Sequence, residues 1–204
     1  MADTDELSWL EQWGRYRVPW FVTKRDEAGN PDFRVVELSR IREAVRFKLC
    51  WICGLRLGRD LAFCVGPMCI INRISAEPPQ HEFCSLYAVR HCPFMSQGKA
   101  RRPLSAELEA ERIQDPTMIE RNPGVTAVWV TKRAKFLKDL ARPVFVMGKP
   151  MRVSWWAGGV KATRAQVVES MNAGYQSLRD MAEAQGTLDT LVQLTEAAQA
   201  YLPR

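Results

Sequence analysis

The sequence contains no run of about eighteen apolar residues, the length that a membrane-spanning helix needs. Its opening, MADTDELSWLEQW, is acidic where a secretory leader is basic and then continuously apolar. Low-complexity tracts and internal repeats are missing too. With 47% hydrophobic and 25% charged residues the composition is that of an ordinary globular chain, which excludes wholesale disorder and collagen-like architecture. Several catalytic signatures are also absent: there is no Walker loop, no G-x-G-x-x-G, no G-x-S-x-G and no H-E-x-x-H. The deaminase pattern fails as well, because His81-Glu82 has the wrong spacing and the C-x-x-C precedes it. Histidine is scarce, with only His81 and His91. The expectation is a soluble, cytoplasmic protein of 204 residues, organised as segments 1–39, 40–103 and 104–204, the last two sharing one core.

What the sequence does have is concentrated in the middle. Residues 40–102 hold eleven basic and four acidic residues, a net of +7 within a whole-chain net of +6. Residues 1–39 are net −3 and residues 103–204 net +2. The basic third also contains all six cysteines and both histidines. Such a segment points to a polyanion or an acidic protein surface as partner, or simply to a solvated basic face.

The cysteines are Cys50, Cys53, Cys64, Cys69, Cys84 and Cys92. In a reducing cytosol, metal binding explains their spacing better than three disulfides do. Cys50-Trp-Ile-Cys53-Gly54 is a C-x2-C-G knuckle, in which two ligands grip one ion from a tight turn and glycine supplies a positive φ. Downstream, Pro78-Pro79 stop whatever precedes them and a helix-compatible run follows, placing His81 and Cys84 on one face of its first turn. The helix N-terminus favours thiolate there. The intervening LRLGRDLAFCVGPMCIINRIS reads as two short apolar strands turning at Gly66-Pro67.

A knuckle, a β-hairpin and a helix whose first turn completes the ligand set resemble a treble-clef zinc finger over about residues 48–92. The resemblance implies one structural, tetrahedral Zn2+ held by Cys50, Cys53, His81 and Cys84. Reduced, buried cysteines are the alternative. Cys64 and Cys69 read as core residues of the hairpin, and Cys92 is an alternative fourth ligand in place of His81. A Cys3His set leaves no open position for catalysis, and the only acids close in sequence are Glu77 and Glu82. Some treble clefs are His-Asn-His nucleases, but this hairpin offers Asn72 and Arg73 and no histidine.

Elsewhere, Trp9, Trp13 and Tyr16 fit one face of a helix that Pro19 interrupts, GNPD at 29–32 reads as a turn, and Phe33 to Glu37 as a short strand. Ser39 is the expected N-cap of a basic helix carrying Arg40, Arg42, Arg46 and Lys48. Lys99, Arg101 and Arg102 lie in an expected basic loop, and 104–122 in an acidic connector. Val125–Lys132 and Val144–Trp156 read as an antiparallel β-hairpin with Lys132, Arg133, Lys135 and Lys138 at its tip. Of Trp155 and Trp156, one should face the core and the other be partly exposed. Thr163-Arg-Ala-Gln166 is a capping box opening a helix; Gly186 ends it, and Thr187 can cap a second helix, giving a C-terminal αα-hairpin that packs on the β-hairpin or pairs with a copy of itself in a homodimer. The expected class is therefore α+β.

The wording of CWICG, GPMCIINRISAEPP, CPF, GKPMRVSWWAGG and ATRAQV also resembles uncharacterised proteins encoded by bacteriophages and prophages. That resemblance implies an accessory role in a bacterial host cytoplasm and brings no known activity. Three functions stay open. The first is a zinc-stabilised, non-catalytic protein contacting nucleic acid through Arg40, Arg42, Arg46, Lys48, Arg73, Lys99, Arg101, Arg102, Lys132, Arg133 and Lys135. The others are an adaptor or inhibitor of a bacterial host protein, such as a nucleic-acid enzyme or defence complex, and a degenerate hydrolase.

Overall fold

The computed structural model describes residues 7–33, 36–96, 123–138 and 144–204. Lys99, Arg101, Arg102 and the connector expected over 104–122 lie outside the described residues, as does part of the strand expected over 33–37. The first half runs β1 (Gln12–Trp13), β2 (Tyr16–Arg17), α1 (Leu38–Phe47), β3 (Leu61–Val65), α2 (Pro67–Asn72), β4 (Ile74–Ser75), α3 (Glu82–His91) and α4 (Pro93–Ser96). The second half runs β5 (Thr126–Thr131), β6 (Ala134–Leu137), β7 (Val144–Met147), β8 (Pro150–Ala157), β9 (Val160–Lys161), α5 (Arg164–Ala184) and α6 (Leu188–Ala198), ending in a 3-10 turn at Gln199–Tyr201.

Thr-Ala-Val-Trp-Val-Thr of β5 is apolar toward both sides, the pattern of a strand covered on both faces. It is accordingly central, antiparallel to β3 on one side and β8 on the other, with β9 beyond β8. Alternate residues then serve two cores. Phe63, Val65, Ala127, Trp129 and Trp155 pack with Ile70 and Ile71 of α2 and with Val167, Met171, Leu178 and Leu191 of α5 and α6. Ala62, Val128, Val130 and Trp156 face the other way, against Val89 of α3. Trp155 and Trp156 do point to opposite faces, but both are buried, because helices cover both sides of the sheet.

Several local expectations are corrected. Trp9, Trp13 and Tyr16 do not lie on a helix: Gly14, at φ 58°, turns β1 back on β2, and Trp9 and Trp13 are exposed. The N-cap of α1 is Glu37 rather than Ser39. The expected hairpin between the knuckle and α3 is not formed. Gly66 instead caps a short helix with Pro67 at its first position, where a missing N–H costs nothing. The flanking strands pair elsewhere, β3 with β5 and β4 with β7. Lys132–Lys138 is not a loop tip either, since residues 134–137 form β6 on the edge of a second, three-stranded sheet, β4-β7-β6. Both C-terminal helices form, and the Thr163–Gln166 capping box has both reciprocal bonds. Gly186 adopts φ 66° after the first of them. Thr187 starts the second without capping it, its hydroxyl donating to the Ala182 carbonyl instead (3.4 Å).

Candidate metal centre

The knuckle is the turn of a small ribbon. Leu49 pairs with Arg56, and the Leu57 N–H donates to the Lys48 carbonyl (2.7 Å). Inside it, the Cys50 N–H donates to Leu55 O (2.7 Å) and the Gly54 N–H to Cys50 O (2.9 Å). Gly54 takes the positive φ expected of it, 72°, and a Cβ there would fall 2.5 Å from Trp20 Cδ1. The N-terminal segment therefore lies against the knuckle. The Trp20 N–H donates to Ile52 O (2.7 Å), Phe21 stacks on the buried Trp51 at 4.8 Å, and Leu7 packs with Cys50, Cys53 and Cys84.

The other ligand pair arrives on a strap. Trp51 N–H donates to Pro79 O (3.1 Å), and Gln80 exchanges both backbone bonds with Ala62 of β3 (2.8 and 2.9 Å). The chain leaves this strap at His81, which is extended (φ −68°, ψ 147°) and forms the N-cap of α3, with Cys84 one turn in. Buried Gln80 and Ser85 brace the junction, the Ser85 hydroxyl donating to Gln80 Oε1 (2.9 Å). On the outer side, Arg152 of β8 bridges Glu82 and Asp60.

These elements bring together the four residues singled out from the sequence: one ligand atom from each of Cys50, Cys53, His81 and Cys84 lies within 4.8 Å of all the others. His81 Nδ1 is 3.3 Å from Cys53 Sγ and 3.8 Å from Cys84 Sγ. A tetrahedron built on ordinary metal–sulfur and metal–nitrogen bonds has edges of about 3.5–3.8 Å, so the donor set fits a single ion. His81 Nε2 lies 3.1 Å from the Arg56 carbonyl; donating its proton there leaves the Nδ1 lone pair toward the sulfurs.

Three crowded thiols cannot all ionise unaided. Cys50 is the first to lose its proton, its pKa pulled down to about 2, because Cys53 and Cys84 both donate to its sulfur and the His81 N–H approaches at 3.3 Å. The same sharing pushes Cys53 up to about 11, and raises Cys84 further, since each would place a second negative charge beside Cys50. A divalent cation at the centre removes that repulsion. Cys50, Cys53, His81 and Cys84 can hold one metal ion.

The remaining cysteines lie apart from this cluster. Cys64 sits on the α3 side of β3, 3.6 Å from Gln80 Oε1, and burial raises its thiol pKa. Cys69 is in α2, its thiol raised by burial to about 11. Cys92 follows the last residue of α3, at the end opposite His81, and so does not replace it. Of the basic residues, Arg40 is held by Glu43 (2.8 Å) and lies over Trp20, while Arg42, Arg46 and Lys48 are exposed along and just beyond α1. Arg73 ends α2 and donates to the Tyr201 hydroxyl (3.4 Å), away from the cluster's elements. Lys132, Arg133 and Lys135 are exposed at and after the β5–β6 turn. The Arg56 carbonyl and the Gln80–Ser85 brace have no counterpart in the motif reading, because a carbonyl carries no residue identity and the brace exists only once β3 meets the strap. The chain matches no protein-family profile, no curated protein and no solved structure.

Proposed function

We propose that the cluster is a structural zinc site in a non-catalytic protein that contacts nucleic acid. The carrying observation is the Cys3His donor set itself, three sulfurs and an oriented imidazole at one point. That combination suits Zn2+ better than harder cations, which prefer oxygen. Four protein ligands fill the tetrahedral shell, and the nearby acid Glu82 is engaged by Arg152 at the surface. What supports the treble-clef likeness is the order of the donors alone, a knuckle pair followed by a pair at the start of a helix. Support for a polyanionic partner is the +7 charge of residues 40–102. The phage-like wording of the sequence suits an accessory protein acting on nucleic acid in a bacterial host. Elemental analysis of the purified protein should give one zinc per chain, and mobility shifts with duplex DNA and RNA should weaken steeply as salt rises. Zinc-free native protein sinks the first half, and no shift even at low salt sinks the second.

A further inference from the structure

The charges around the knuckle are unequally matched. Of the acids near it, Glu37 is held by Lys24, Glu43 by Arg40, and Asp60 and Glu82 by Arg152. Arg42, Arg46, Lys48, Arg56 and Arg59 form no ion pair with any described residue. The Leu49–Arg56 pairing lays the end of α1 beside the outgoing arm of the knuckle, so Lys48 and Arg56 stand on adjoining arms of one ribbon, with Arg46 in the last turn of the helix that leads into it. Two large apolar side chains adjoin them along the chain, Phe47 between Arg46 and Lys48 and Leu55 next to Arg56, each 52% exposed. The Arg46 guanidinium lies 5.1 Å from the Phe47 ring centre, presenting cation and ring together.

Lys48 is also unusual in its backbone. It closes α1 in the left-handed conformation (φ 54°, ψ 53°), and the Leu49 N–H reaches back to Ala44 O (2.9 Å). Glycine is the residue that occupies such a position without strain. Arg73 is the other non-glycine residue at positive φ among the described residues, and its side chain is engaged with Tyr201. Lys48 has no such partner among the described residues and is exposed. A strained cation held out to solvent marks a surface kept for something other than stability.

We propose that this ribbon binds single-stranded nucleic acid, with phosphates on Arg46, Lys48 and Arg56 and an unstacked base on Phe47. The proposal rests on the nucleic-acid reading above and specifies its ligand and its face. Cations alone would serve a duplex equally well. The exposed aromatic and aliphatic groups next to them in the chain favour bases that are free to stack, which a single strand offers and a closed duplex does not. Affinity should therefore combine a salt-dependent phosphate contribution with a salt-tolerant stacking contribution.

The test uses the metal-loaded full chain and fluorescence anisotropy with oligo-dT, oligo-rU, a duplex of equal length and inorganic polyphosphate. Single strands should bind about tenfold more tightly than duplex, and Phe47→Ser should remove about that factor for single strands while leaving polyphosphate unchanged. Arg56→Gln should lower the logarithmic salt slope by about 0.7. Lys48→Gly should raise the melting temperature while weakening binding, a pairing that a purely structural lysine would not produce. The oligo-dT and oligo-rU arms decide between DNA and RNA. Equal affinity for duplex and single strand, or Phe47→Ser and Lys48→Gly variants that bind as the parent does, overturns the inference and leaves the nucleic-acid reading standing. Binding to neither form overturns both.

Discussion

Cys53 and Cys64 share a side chain and a neighbourhood yet should respond very differently to truncation. Cys53 belongs to the four-donor cluster that can hold an ion; Cys64 only packs beneath it on the α3 side of β3. Binding of a structural metal is itself folding free energy, on the order of 10 kcal/mol in zinc peptides. Cys53→Ala should therefore abolish metal binding and unfold the region around the knuckle. Cys64→Ala should cost roughly 1–2 kcal/mol, as for a small core truncation, and retain the ion. Denaturant titrations with metal analysis on both variants check this, and equal losses would contradict the ligand assignment. The thiols also set a proton count. Without metal, Cys50 is lowered by the two thiols that donate to it, while Cys53 and Cys84 are raised by the same sharing and keep their protons at neutral pH. Metal binding must then expel the Cys53 and Cys84 protons, so apparent affinity should rise with pH, about 100-fold per unit around neutrality. Proton release in weakly buffered solution measures it directly; release of a single proton would mean that the sulfurs do not all coordinate.

Among the elements, those with chemical punctuation in the chain form as their residues dictate. Thr163 and Gln166 satisfy two orphan N–H groups at the start of α5, and Thr163→Ala should cost about 1 kcal/mol, readable as a lowered urea midpoint without loss of metal. The knuckle likewise follows from Gly54. The stretch after Gly66 is instructive for the opposite reason. Apolar Met68–Ile71 can serve either a strand or a helix, and Pro67 at a first helical position tips it to α2, whose Ile70 and Ile71 the core of α5 and α6 then buries. Charge hid β6, because Lys135 within it and Lys132, Arg133 and Lys138 flanking it make an edge strand look like a charged turn.

At the scale of the described structure, the Cys3His cluster and the main core are built on opposite faces of the β3-β5-β8-β9 sheet. Cys84 enters from α3 on one side, while the Trp129 and Trp155 core lies on the other. Chelation should accordingly release protection from the knuckle and the first turn of α3 before it affects β5, β8 or α5, as hydrogen exchange can show. Simultaneous loss of protection throughout would mean that the ion holds the entire fold rather than one face of it.

Local chemistry in the sequence determined the two donor pairs of the Cys3His cluster, the glycine of the knuckle, the helix start at His81 and the capping box, because each depends on neighbours a few residues away. What only the tertiary structure decided is which surfaces meet. The pairing of β3 with β5, the burial of both Trp155 and Trp156, the seat of the N-terminal segment on the knuckle and the Arg56 carbonyl behind His81 all join residues distant in the chain. Pairing and burial of that kind are settled by competition among all the apolar faces for a common interior, and no single stretch of sequence contains that contest.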